Sequence, residues 1–146
     1  MKYSLLLCLI FYQISNAQFY YFGRNKVQYE NFDWKILRTE HFNVYYYGET
    51  ENIAEIGAGI AEEVFDELKV RMNNIITRKI PLIFYNTSNH FQQTNVTPGF
   101  IPEGVGGFFE FLKGRVVIPS TGSLTDFRHV IRHELVHVFV TNKIFR

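Results

Sequence analysis

Hydrophobic and polar residues along this chain follow two rhythms. Alternation with β-branched and aromatic enrichment runs through Asp33-Trp34-Lys35-Ile36-Leu37 and His41-Phe42-Asn43-Val44-Tyr45-Tyr46-Tyr47, which predicts two strands. A helical rhythm follows. Ile53, Ile56, Ile60, Val64 and Leu68 recur at steps of three, four, four and four, predicting a long amphipathic helix that buries this stripe. Thr50 stands at its N-cap, Glu51 and Glu55 lie in its early turns, and Lys69 and Arg71 lie near its end, the charge order that the helix dipole favours.

Ile80-Pro81-Leu82-Ile83-Phe84-Tyr85 reads as a third strand, and Pro81, which lacks an N–H, predicts an edge strand or a strand start. Residues 86–99 read as a polar loop. It holds the sequons Asn86-Thr87-Ser88 and Asn95-Val96-Thr97, glycosylation sites in an exporting cell that glycosylates and markers of exposed loop otherwise. Gly104, Gly106 and Gly107 predict a loosened backbone before the strand Phe108-Phe109-Glu110-Phe111, and Lys113-Gly114 predicts a turn into Arg115–Ile118. Val116-Val117-Ile118 reads as buried, closed by Pro119 and Gly122. Ser123 with Asp126 predicts a capping box, and Phe127, Ile131, Leu135 and Val138 form the apolar stripe of a final helix. The order β, β, α, β, β, β, α predicts an α+β domain with helices packed on a mixed sheet.

The first seventeen residues follow a different logic. Lys2 is a positive start, Leu5 to Phe11 an apolar run, and Ser15-Asn16-Ala17 a small-residue cleavage site before Gln18, the pattern of a signal peptide. The run is too short for a spanning helix of about 20 residues; an uncleaved anchor is the alternative. Export to the periplasm, the cell surface or the medium is expected, with no membrane span after leader removal. Cys8 is the only cysteine and leaves with the leader, so the mature chain has no disulfide. Residues 18–32 are aromatic and polar without a period, a strand or strapping segment. Setting aside Lys2, the 15 Lys and Arg become 14, equal to the 14 Asp and Glu. With no basic block, nucleic-acid binding and electrostatic membrane attachment have no support.

The chemistry concentrates in His133-Glu134-Leu135-Val136-His137. Residues four apart lie on one face of a helix, so His133 and His137 can share one metal ion at about 2 Å from each nitrogen. Glu134 is rotated roughly 100° from His133, which places it beside the ion, as a base for a water that Zn2+ acidifies. A bare five-residue match leaves open two ordinary polar residues on a half-exposed helix. The strand, short loop and capped helix around this match are the context the motif requires.

This arrangement resembles the N-terminal half of a zincin metallopeptidase, most of all a gluzincin of the peptidase MA-like type. Phe32-Asp33-Trp34 and Thr39-Glu40-His41-Phe42-Asn43-Val44-Tyr45-Tyr46 resemble the start of such domains in exported bacterial proteins, some of which carry a TolB-like β-propeller downstream. The resemblance spans roughly Asp33 to Phe139, and only His133, Glu134 and His137 are specific in it. It implies a zincin-like domain over 33–146, with His133 and His137 as zinc ligands, Glu134 as general base and a peptide or protein as substrate. It further implies that a segment within Phe108–Ile118 pairs with an extended substrate, unless both strands there are interior.

Gluzincins take a third ligand, a Glu, from a helix well downstream of the second His, and this chain ends nine residues after His137. Val140 and Lys143 stand where a metzincin would have Gly and a third His. The expectation is therefore a truncated domain, inactive alone, whose third ligand and oxyanion stabiliser lie beyond Arg146. The alternative is a non-catalytic peptidase-like module for binding or assembly. His129 continues the four-residue steps, but the helix drifts about 40° per step, so it reads as a solvated or supporting residue. His41 and His90 have no ligand spacing.

Overall fold

The computed structural model describes residues 26–95, 100–102, 104–120 and 122–145; the leader and the start of the 18–32 segment lie outside them. Strands β1 (Trp34–Arg38), β2 (Phe42–Tyr47), β3 (Ile80–Tyr85), β4 (Phe108–Glu110) and β5 (Arg115–Pro119) alternate with helices α1 (Glu51–Met72), α2 (Ser88–Phe91) and α3 (Leu124–Ile144). The domain is α+β, with one mixed sheet in the order β1-β2-β3-β5-β4. β1 pairs antiparallel with β2, β2 and β5 flank β3 in parallel, and β4 closes antiparallel on β5.

Alternation within each strand separates two apolar layers. Phe42, Val44, Ile80, Leu82, Phe84, Val116 and Ile118 face the long helices, together with Phe127, Ile131, Leu135 and Val138 of α3. Tyr47, Tyr85 and Val117 face the other way, against Phe91, Ile101 and the half-buried Phe32. The segment from Lys26 is a strap across this second face. The backbone N–H groups of Tyr29 and Glu30 donate to Gln93 Oε1 at 3.0 and 3.4 Å, and the Phe32 ring meets that of Tyr47 at 4.2 Å.

The structure refines the expectations at several points. Ile56 is 43% exposed, and α1 instead buries Ala54, Gly57, Ala58, Ala61 and Phe65 beside Ile60, Val64 and Leu68. Small residues let the helix approach closely: a Cβ on Gly57 would stand 2.5 Å from the Phe84 ring, so the packed face is the one with the least side chain. Pro81 is not on an edge. β3 is the central strand and Pro81 its second residue, which satisfies the alternative of a strand start, where one missing donor is tolerated. The polar loop contains α2, capped by the Thr87 hydroxyl accepting from the His90 N–H at 3.2 Å. Asn86 of the first sequon is tied down: its side-chain amide donates to the Tyr47 carbonyl at 3.3 Å. Thr50 occupies the N-cap of α1, but its hydroxyl donates to the Tyr47 carbonyl at 2.8 Å and makes no side-chain cap.

The two long helices run in the same direction. Arg128 pairs with Glu63 and, one turn on, Arg132 pairs with Glu67. Beyond α1, buried Asn74 donates from Nδ2 to the Phe139 carbonyl at 2.8 Å and accepts from Asn142 Nδ2 at 3.0 Å. Lys143 Nζ donates to the Met72 carbonyl at 2.8 Å. These contacts fix α3 along its length, and with it the motif. Among the described residues no helix is long and apolar enough to cross a membrane.

Candidate metal centre

α3 starts as its sequence dictates. Ser123 is extended at the N-cap, and its hydroxyl accepts from the Asp126 N–H at 3.3 Å, satisfying one of the helix's unpaired first-turn donors. With Phe127, Ile131, Leu135 and Val138 turned into the core, the opposite face is fixed as well. His133 and His137 lie exposed on it, their ring centroids 4.8 Å apart and their Nε2 atoms 3.1 Å apart. Two nitrogens bound at roughly 2.0–2.1 Å to one tetrahedral zinc stand about 3.3 Å apart. The spacing of the two nitrogens is compatible with a shared ion.

Glu134 turns the other way, as its position one residue along the helix requires. It is 6% exposed and lies towards β4, with the Phe109 backbone N–H near its carboxylate. Burial raises its pKa above the ordinary 4.5, against the lowering pull of His133, His137 and the Phe109 N–H.

Among the described residues β4 is an edge strand: it pairs with β5 alone, whereas β5 lies between β3 and β4. Phe111, expected in this strand, belongs to the turn, where the Gly114 N–H donates to the Glu110 carbonyl at 2.8 Å. The glycines before β4 bring the backbone close instead of loosening it. A Cβ on Gly106 would stand 2.7 Å from Val130 Cγ2, and one on Gly107 would stand 2.9 Å from the Val117 carbonyl oxygen. Glycine thus lets the edge strand lie against α3, which is what brings the Phe109 N–H to Glu134. No spacing rule in the sequence announces a backbone donor.

The other histidines are elsewhere. His41 Nδ1 lies 2.6 Å from Glu62 Oε2, and its ring stacks on Phe65 at 3.8 Å. His90 Nδ1 lies 2.7 Å from the Tyr47 hydroxyl, and its Nε2 lies 3.1 Å from Glu30. Both are structural links on other parts of the sheet. His129 is exposed one turn before His133. Among the described residues, no group of three or more His, Cys, Asp or Glu is placed to hold a metal, so the centre offers two protein donors. A separate cleft of about 650 Å³, lined by Trp34, Tyr45, Ile83, Tyr85 and Arg115, opens on the sheet face away from the long helices. No family model matches the chain, and no curated protein or solved structure matches it either.

Proposed function

We propose that this chain carries the metal-binding helix and edge strand of an exported, zinc-dependent metallopeptidase domain of zincin type, acting on peptide bonds. The observation that carries the proposal is the pair of exposed imidazoles with Nε2 atoms 3.1 Å apart, on the same helix as the buried Glu134 carboxylate. His133 Nε2 and His137 Nε2 would hold the ion, which when bound supplies Lewis acidity and brings the pKa of a water toward neutrality. Glu134 accepts the proton of the attacking water and returns it to the leaving amine. The outer edge of β4, unpaired among the described residues, suits an extended peptide, because strand addition recognises backbone groups with little demand on side chains.

The decisive comparison is Glu134→Gln against His133→Ala in a form of the chain extended to carry a third carboxylate donor. Glu134→Gln is expected to retain zinc and to lose about 10²–10⁴ in turnover of a quenched peptide, the usual contribution of a general acid–base group. His133→Ala is expected to lose metal as well as rate. Unimpaired cleavage by Glu134→Gln removes the base assignment. A second reading, a peptidase-like module for binding or assembly without turnover, is favoured by the count of two donors where catalytic zinc sites use three. Full zinc occupancy without hydrolysis in the extended form would select it.

A further inference from the structure

The cleft on the outer face of the sheet spans four adjacent strands, β1, β2, β3 and β5. Tyr45 and Ile83 are register partners on β2 and β3, and both turn away from the long helices. Beside them Trp34 meets the Tyr85 ring edge-on at 5.5 Å and stays 38% exposed. The floor is thus aromatic and apolar, and strands paired on both sides hold most of it in place. Part of the wall is tethered as well: Asn95 Oδ1 accepts from the Lys26 N–H at 2.7 Å. The cations of the lining are Lys113 and Arg115, and among the described residues it contains no Asp or Glu. One carboxylate stands behind them. Glu110 Oε2 lies 2.5 Å from Arg115 Nε, and its Oε1 lies 3.9 Å from Lys113 Nζ. Two cations against one anion leave a single positive charge in excess beside an apolar floor.

We propose that this cleft binds a small amphipathic carboxylate, with its apolar body on Trp34, Tyr45 and Ile83 and its anionic head at Lys113 and Arg115. Charge complementarity selects the head. One surplus positive charge matches one negative charge, and a guanidinium presents its donors in a planar fork that suits a carboxylate. The floor selects the body, since Trp and Tyr bury large apolar area while keeping a polar tip for water or ligand. The size agrees: about 650 Å³ lies within the range of small-molecule sites, which combine apolar and aromatic walls with a few placed polar groups. Glu110 is the competitor that the ligand must displace or share. The inference is independent of the metal centre, because the sheet separates this face from the one that packs on α3.

Trp34 is the only tryptophan of the chain, so its emission reports on the cleft directly. The test titrates the purified full chain with phenylhexanoate, with the neutral phenylhexanamide and with acetate, following Trp34 fluorescence beside calorimetry. The expected result is saturable one-to-one binding of phenylhexanoate, binding of the amide weaker by about tenfold, and no response to acetate. Lys113→Gln, a change at an exposed side chain, should bring the acid's affinity towards that of the amide. Glu110→Gln should move it the other way, tightening the acid by severalfold and leaving the amide unchanged, a gain that damage to the fold would not produce. Equal affinity for acid and amide overturns the anionic head, and acetate binding as tightly as phenylhexanoate overturns the role of the floor. Calorimetric binding without a change in Trp34 emission places the ligand elsewhere and overturns the site, as does the absence of any binding.

Discussion

Replacing Gly57 by Ala probes how tightly α1 seats on the sheet and on the helix that bears the motif. The added methyl would stand 2.5 Å from Phe84 Cε2, 2.6 Å from Phe84 Cζ and 3.0 Å from Phe127 Cε1, whereas carbon atoms prefer about 3.5–4.0 Å. Both rings are buried, with centroids 4.9 Å apart, so neither can retreat without moving the other. Overpacking of this kind costs about 1–3 kcal/mol. Opposing it, Ala is favoured over Gly inside a helix by about 0.8–1.0 kcal/mol. The clash wins, with a net loss of about 1 kcal/mol. Gly59 is the internal control: it is exposed, and a Cβ there meets nothing within 4 Å. Gly59→Ala should therefore gain about 0.8–1.0 kcal/mol from propensity alone. Urea denaturation of both variants at equal m-value measures the difference, expected at about 2 kcal/mol with opposite signs. A stabilised Gly57→Ala would refute the close packing of α1 against Phe84 and Phe127.

Asn74→Ala removes the side-chain bond to the Phe139 carbonyl and the acceptor for Asn142; it should cost about 1–2 kcal/mol in the same assay, and a loss below a few tenths would show that the C-terminal tie between the helices is dispensable. Glu134→Gln should stabilise the chain in EDTA at pH 7. The folded pKa of Glu134 is raised above 4.5 by burial, so its contribution to stability is present below 4.5 and is lost as pH rises through the folded value. The advantage of the amide should accordingly appear as pH climbs above 4.5 and be missing in acid, and equal urea midpoints for both proteins at all pH values would contradict this. The chain alone should hold zinc only weakly, because the two donors among the described residues fall short of the three that catalytic sites use; calorimetric titration checks this, and tight one-to-one binding would require a donor other than His133 and His137.

Much of this architecture is legible in sequence because local rules and tertiary packing agree. Val116-Val117-Ile118 is uninterrupted and apolar, and it proves buried on both faces. Ser123, Asp126 and the Phe127 to Val138 stripe fix where α3 begins and which side faces out, so the geometry of His133 and His137 follows from the numbering. The misassignments share a cause: the deciding neighbour is remote in sequence. The true face of α1 is set by the fit of Gly57 and Ala58 against the sheet, and hydropathy weights Ile56 above them. Pro81 leaves an edge strand or a strand start open because its missing donor is a local fact, and the choice between them, settled by the central place of β3, depends on the strands that arrive from either side. The Phe109 N–H is invisible to any motif, since a backbone group has no residue identity.

Strand order has a kinetic consequence. β1–β2 and β4–β5 are antiparallel neighbours joined by short connections, and pairings of this kind form on the microsecond scale with little loop-closure entropy. β3 has no such local partner. Both of its pairings are parallel and reach across intervening chain that includes a helix, so they carry the long-range entropy that slows folding. The sheet is thus two quickly formed hairpins awaiting one late strand, and Ile80, Leu82 and Phe84 on that strand complete the floor beneath both long helices. The orientation of the motif helix is accordingly among the last features the chain acquires. Substitutions in β3 that slow its pairing would therefore disturb the seating of α3 without altering His133, Glu134 or His137.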